Sequence, residues 1–201
     1  YGKGTINKAS VRASDFNIQI NPATKEYDGT NAVVWTDPAT GTVYNDLEHA
    51  KNYFTGSTLN IGGINLPVNL ADIELRSAAY NDANVAGANR VDYGIRINTT
   101  NFTFTGSRDD VRSTAGNITR RDLATKLPTH LIKEYDGTTT FDQTNRDFVN
   151  AMARESLEGI VAADRNKGIT LNVTGTYDSR DASAETKAEA EARTPAMAGR
   201  S

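Results

Sequence analysis

Lys25-Glu26-Tyr27-Asp28-Gly29-Thr30 recurs, residue for residue, as Lys133-Glu134-Tyr135-Asp136-Gly137-Thr138. The copies lie 108 residues apart in a chain of 201. Six identical residues do not recur by chance in so short a chain, and such self-similarity marks a protein assembled from copies of one unit. The residue types also specify a backbone shape. An Asp carboxylate accepts N–H groups in a turn, Gly supplies a positive φ, and the following Thr re-enters a strand. The Tyr offers a large apolar body with a hydroxyl to pair at a domain edge. Tyr27, Asp28, Gly29, Tyr135, Asp136 and Gly137 therefore read as hairpin or strand-entry turns, with a carboxylate ligand or metal contact as the alternative.

The repeat extends outward from the hexapeptides. Upstream, Thr5-Ile6-Asn7-Lys8 resembles Asn117-Ile118-Thr119-Arg120. Downstream, Ile73-Glu74-Leu75 before Tyr80-Asn81-Asp82 resembles Ile169-Thr170-Leu171 before Tyr177-Asp178-Ser179. These matches place a first unit at residues 5–116 and a second, incomplete one at residues 117–182. The second unit has no counterpart of Val91, Tyr93, Ile95 and Ile97, or of Phe102 and Phe104. Residues 183–201 contain no Ile, Leu, Val or aromatic side chain. Such a segment buries too little apolar surface to offset its ordering entropy, so a disordered or helical polar tail is expected.

Inside the units the hydrophobic period is two, as in Phe16-Asn17-Ile18-Gln19-Ile20, Leu59-Asn60-Ile61, Val91 to Ile97 and Leu171-Asn172-Val173. This is the pattern of half-buried strands. Turn residues separate them at Asn21-Pro22, Asp28-Gly29, Asp37-Pro38, Thr40-Gly41, Gly62-Gly63 and Asn166-Lys167-Gly168. Two stretches depart from it. Asn45 to Phe54 suits a short helix, and Asn145 to Val161 places Phe148, Met152, Ser156 or Leu157 and Ile160 near helical spacing, with Gly159 at its end. The expected fold is mainly β: tandem β-sandwich or β-grasp-like modules with one or two short helices.

Composition narrows the function. A net charge of −3 argues against a nucleic-acid or anionic-membrane binder. Cysteine is absent, which removes disulfides, thiol nucleophiles and Cys-ligated zinc. The 25 Thr and 19 Asn favour strands and turns with polar surfaces. No apolar run approaches the length of about 18 residues that spans a bilayer, so no membrane insertion is expected. The chain opens at Tyr1 without Met or a signal-peptide pattern, and is expected to be a piece of a longer protein.

Catalytic chemistry has little to work with. The two histidines, His49 and His130, have no Ser/Asp partners in triad order and no metal-ligand spacing. Both read as ordinary surface residues, and phosphate-cradling glycine motifs are missing. No catalytic residue, resident metal or other cofactor is expected. Asp109-Asp110, Asp178 with Asp181, and Asp164 offer hard oxygens suited to Ca2+. None has EF-hand spacing, however, and Arg108, Arg112, Arg165 and Arg180 lie beside them. Asn98, Asn101, Asn117 and Asn172 head Asn-x-Ser/Thr triplets, some of them expected in so Asn- and Thr-rich a chain.

The ordered set of segments resembles the YDG repeats of filamentous-haemagglutinin-like and other very large secreted bacterial adhesins. An Ile-Thr-x-Arg/Lys-x-Leu opening is matched by Ile118-Thr119-Arg120-Arg121-Asp122-Leu123. The Lys-x-Tyr-Asp-Gly-Thr core is matched twice. A Tyr/Phe-x-Asp-x-Asn-Val-Gly segment is matched by Tyr80-Asn81-Asp82-Ala83-Asn84-Val85-Ala86-Gly87, with Ala86 intervening, and an Ala-Gly-Asn turn by Ala115-Gly116-Asn117. The resemblance implies a tandem, extracellular, non-enzymatic β-module, secreted to the bacterial surface, with neighbouring repeats and a host-cell glycan or protein receptor as partners. It assigns no receptor-binding residue. The long insertion from Asp37 to Phe54 is the natural specialised surface, since binding concentrates on loops held by a rigid scaffold. Trp35, Tyr44, Tyr53 and Phe54 lie in or beside it, either stacking on a ligand or buried in the module's own core. The rival expectation is a carbohydrate-binding β-sandwich with an open aromatic platform, and a ligand-free structural spacer is the third.

Overall fold

The computed structural model describes residues 2–125, 135–140, 157–165, 167, 172–177 and 188–193. They are mainly β, as the alternating pattern requires, and divide into two compact units, one of the described residues up to Thr119 and one of those from Arg120 onward. The first unit runs β1 (Ser10–Val11), β2 (Phe16–Ile20), β3 (Ala23–Glu26), β4 (Trp35–Thr36), β5 (Val43–Tyr44), α1 (Leu47–Ala50), β6 (Phe54–Ile61), β7 (Ile64–Pro67), β8 (Ile73–Tyr80), β9 (Arg90–Ile97), β10 (Thr103–Phe104) and β11 (Asp109–Thr119). The expected helix between Asn45 and Phe54 is one α-turn continued by a 3-10 turn at Lys51–Tyr53.

Two main sheets result. One has the order β3-β11-β9-β8, the other β2-β6-β7. On β9, Val91, Tyr93, Ile95 and Ile97 are fully buried while Asp92, Gly94 and Arg96 face outward, the alternation of a sheet solvated on one side. The outer face carries a polar ladder. Arg96 Nη1 donates to Asp109 Oδ1 at 3.2 Å, and Ser113 Oγ to Asp92 Oδ1 at 2.6 Å. A second apolar cluster joins Val11, Ala13, Phe16, Leu59 and Ile97, with Phe104 stacked on Phe16 at 5.9 Å and Phe102 edge-on at 6.2 Å. Arg112 of β11 reaches from one sheet to the other. Its guanidinium donates to the carbonyls of Phe16 and Ala13 at 2.6 and 2.8 Å and to Asp110 at 2.9 Å.

β11 closes the unit. Its first part pairs antiparallel with β9, and its last four residues pair parallel with β3, setting Gly116 opposite Ala23 and Ile118 opposite Lys25. A Cβ on Gly116 would come within 2.8 Å of Val91 Cγ2, 3.0 Å of Tyr80 Cε1 and 3.1 Å of the Arg90 carbonyl carbon. Only glycine fits there. Ile118, 1% exposed, completes the core. The division between units therefore falls after Thr119, three residues beyond the boundary expected from the sequence. Ile118, expected to open the second unit, is buried in the first.

In the second unit, β12 (Ala124–Thr125) pairs antiparallel with β13 (Leu157–Glu158), and β14 (Asn172–Tyr177) with β15 (Ala188–Arg193). Two expectations are corrected here. Leu157–Glu158 is a strand, so the helix read over residues 145–161 does not reach its expected end; residues 145–156 lie outside the described ones. Ala188–Arg193 is also a strand, within the tail expected to be helical or disordered. Its Ala-Glu-Ala-Glu-Ala-Arg order has period two, which a ladder with β14 accepts.

Candidate functional site: the repeated turn and an aromatic ledge

In the first hexapeptide the lysine does most of the work. Lys25 points inward from β3, its side chain 1% exposed. Its ammonium has three protons, and it donates to Asp28 Oδ1 at 2.8 Å, the Thr30 carbonyl at 2.9 Å and the Ala32 carbonyl at 2.8 Å. The Tyr80 ring lies 5.4 Å beyond, within cation–π range. The Asp28 carboxylate in turn accepts the Thr30 N–H and hydroxyl, both at 2.9 Å, across Gly29 at φ 79°. Burial raises the Asp28 pKa, but the hydrogen bonds from Lys25 and Thr30 outweigh it and hold the carboxyl below its usual range. Tyr27 is buried, and its N–H donates to the Thr119 carbonyl at 2.9 Å.

The second copy repeats the Asp–Gly–Thr turn, while Lys133 and Glu134 lie outside the described residues. Asp136 Oδ1 accepts the Thr138 N–H at 2.9 Å and its hydroxyl at 2.8 Å, and Gly137 has φ 75°. The exits correspond too. Two residues beyond the Thr, Ala32 makes a single antiparallel bridge to Ala79, and Thr140 makes one to Thr176. Ala79 and Thr176 immediately precede Tyr80 and Tyr177, the tyrosines aligned between the units in the sequence. In both copies the described residues that follow the Thr thus enter pairing through a single antiparallel bridge. The two tyrosines differ: Tyr27 is 2% exposed and Tyr135 66%. Pairing at a domain edge does not describe both.

The insertion builds a separate feature. β4 and β5 form a hairpin whose turn is closed by Asp37 N–H to the Thr42 carbonyl at 2.9 Å and by Gly41 at φ 72°. This register places Trp35 opposite Tyr44. Asp46 then caps α1, accepting the His49 N–H at 2.9 Å while its carboxylate also meets His49 Nδ1 at 2.8 Å. Those bonds from the His49 backbone and ring hold the Asp46 carboxyl below its usual range. The cap aims the imidazole at the hairpin, where it stacks on Tyr44 at 3.7 Å with planes 5° apart. Trp35 stands 6.0 Å from His49 and 6.4 Å from Tyr44. The three rings are partly exposed, and exposed Val43 and Leu47 flank them.

The structure therefore splits the four aromatics expected to form a ligand surface. Trp35 and Tyr44 share the ledge. Phe54 is buried edge-on against Tyr93, centroids 5.3 Å apart, and so leaves that surface. Tyr53 is half-buried with its hydroxyl donating to the Val34 carbonyl at 2.6 Å, and burial raises its pKa. His49, read as an ordinary surface residue, is the ledge's third ring. The Asp46-x-x-His49 spacing of an N-cap and its third helical residue was the available signal.

The acidic candidates are engaged elsewhere. Asp109 faces Arg96, Asp110 faces Arg112, and buried Asp164 pairs with Lys167 at 2.7 Å. Asp178, Asp181 and His130 lie outside the described residues. Among the described residues no group of three or more His, Asp or Glu gathers, and no helix is long and apolar enough to cross a membrane. Comparison with protein-family models, with curated proteins and with solved structures finds no match to this chain.

Proposed function

We propose that the chain is a repeat segment of a large bacterial surface adhesin, non-enzymatic, acting as an extracellular stalk and as a weak multivalent binding module. The observation that supports this reading is the turn built twice: the same Asp–Gly–Thr hydrogen bonds and the same exit bridge recur in two separate compact units. Units of that kind extend a chain by addition, and many weak contacts on such an array combine into avidity. Antibodies against the purified chain are expected to label intact, unpermeabilised source cells. Beads densely coated with the chain are expected to adhere to host glycoprotein surfaces on which the free chain binds weakly. Labelling only after permeabilisation would count against the reading.

The ledge favours a second reading, a carbohydrate-binding module. Rings of Trp35, Tyr44 and His49 offer an apolar surface of the kind a pyranose face covers, with the Asp46 carboxylate at its rim as a hydrogen-bond acceptor. On a glycan array, Trp35→Ala and Tyr44→Ala are each expected to weaken retention at least about tenfold, the loss of one stacking contact of about 1.4 kcal/mol. Retention unchanged in both variants removes the ledge from binding, and no retention of the parent chain leaves the spacer role.

A further inference from the structure

We infer that Gly4–Lys8 is a closing strand for another copy of this module, held in waiting outside the first unit's own core. The inference starts from what β11 does. Within Gly116-Asn117-Ile118-Thr119-Arg120, Gly116 admits no Cβ, Ile118 fills the core, and residues 116–119 pair parallel with β3. Gly4-Thr5-Ile6-Asn7-Lys8 carries the same Gly-x-Ile-x-cation order, with Thr and Asn exchanged between the intervening positions.

In its present surroundings that order has no use. Ile6 is 100% exposed, and a Cβ on Gly4 would meet nothing within 4 Å. A glycine where any residue fits and an isoleucine left in water are costs without local return. Both make sense once the segment lies where residues 116–119 lie. The place beside β3 in the first unit is already filled by β11, so the segment cannot close its own module. The partner it fits is a second copy, with Gly4, Thr5, Ile6 and Asn7 opposite that copy's equivalents of Ala23, Thr24, Lys25 and Glu26. Ile6 would then be buried as Ile118 is, and the segment's free backbone groups would be paired. Successive modules would join at a strand that finishes one and leads into the next, as Thr119 leads into Arg120.

This rests on the repeat reading above but not on adhesion, and its test is separate. A fusion carrying an extra copy of residues 9–115 directly ahead of Gly4 of the complete chain leaves Gly4–Lys8 as that copy's only closing strand. Hydrogen exchange at Thr5–Lys8 is expected to slow at least about tenfold in the fusion relative to the single chain. Ile6→Ala is expected to lower the melting temperature of the fusion's extra copy as Ile118→Ala lowers that of the first unit, and to leave the single chain's melting unchanged. Equal exchange in both proteins would overturn the inference. So would an extra copy that fails to fold while a control fusion carrying residues 9–120 ahead of Gly4 folds, or an Ile6→Ala effect in the single chain. Lack of adhesion in the bead assay would leave all of these outcomes unchanged.

Discussion

Asp28→Ala is expected to cost the first unit about 3–5 kcal/mol, the penalty for leaving a buried charge without its partner. Lys25 is the group left behind. Its side chain is almost wholly inaccessible, and the carbonyls of Thr30 and Ala32 remain its acceptors without any anion. The Thr30 N–H loses its acceptor as well. Lys25→Met should cost less, because the Asp28 side chain is 37% exposed and water can reach it. The double variant should fall short of the two losses added together, since both remove one interaction. Urea unfolding of the three variants checks the order; equal costs for the two single changes would show that the pair is not the staple described. The pH dependence has a definite sign. A carboxyl held below its usual range contributes stability above its unfolded pKa and loses it as pH falls through the folded value. The staple is therefore intact at neutral pH and weakens in acid, below about pH 4.

At the other end of the scale, the first unit is expected to unfold steeply in alkali. Burial pushes the phenols of Tyr53, Tyr80 and Tyr93 above their usual range, most strongly for Tyr80 and Tyr93. Among the described residues neither the Tyr80 nor the Tyr93 hydroxyl has a partner, so desolvation meets no compensating hydrogen bond there. A folded pKa above the unfolded one gives a contribution that is complete below about pH 10 and is lost as pH rises. At pH 12 each fully excluded phenol favours the unfolded chain by up to about 2.7 kcal/mol. Absorbance near 295 nm should show the exposed tyrosines ionising first and these three only with the loss of near-ultraviolet circular dichroism. Smooth ionisation of all tyrosines in a chain that stays folded would contradict the burial described.

What the sequence disclosed was local. Val91 to Ile97 alternates so cleanly that its burial followed from pattern alone, and Asp28-Gly29 announced its turn. The Gly62-Gly63 turn between β6 and β7 was as plain, both glycines having positive φ. What stayed hidden depends on partners far along the chain. Ile118 reads as the start of a unit because Thr119-Arg120 continues into new sequence, yet its place is set by β3, with Thr119 Oγ1 bonded to the Lys25 carbonyl across 94 residues. His49 reads as ordinary because no triad partner or metal-ligand spacing surrounds it in sequence, whereas Tyr44 and Trp35 reach it through the hairpin. Tyr27 and Tyr135 carry identical sequence neighbours and opposite exposure, a difference no local pattern contains.

The parallel register between β3 and β11 has a mechanical consequence. β11 ends the first unit, β3 follows β1 and β2 near its start, and the two run in the same direction. Once β1 and β2 have given way, tension between the start of β3 and the end of β11 drags the two past one another along their length. Evenly spaced bonds in a parallel ladder then resist together instead of peeling open singly. A tether made of such units would yield abruptly under shear, and would hold its length until it did.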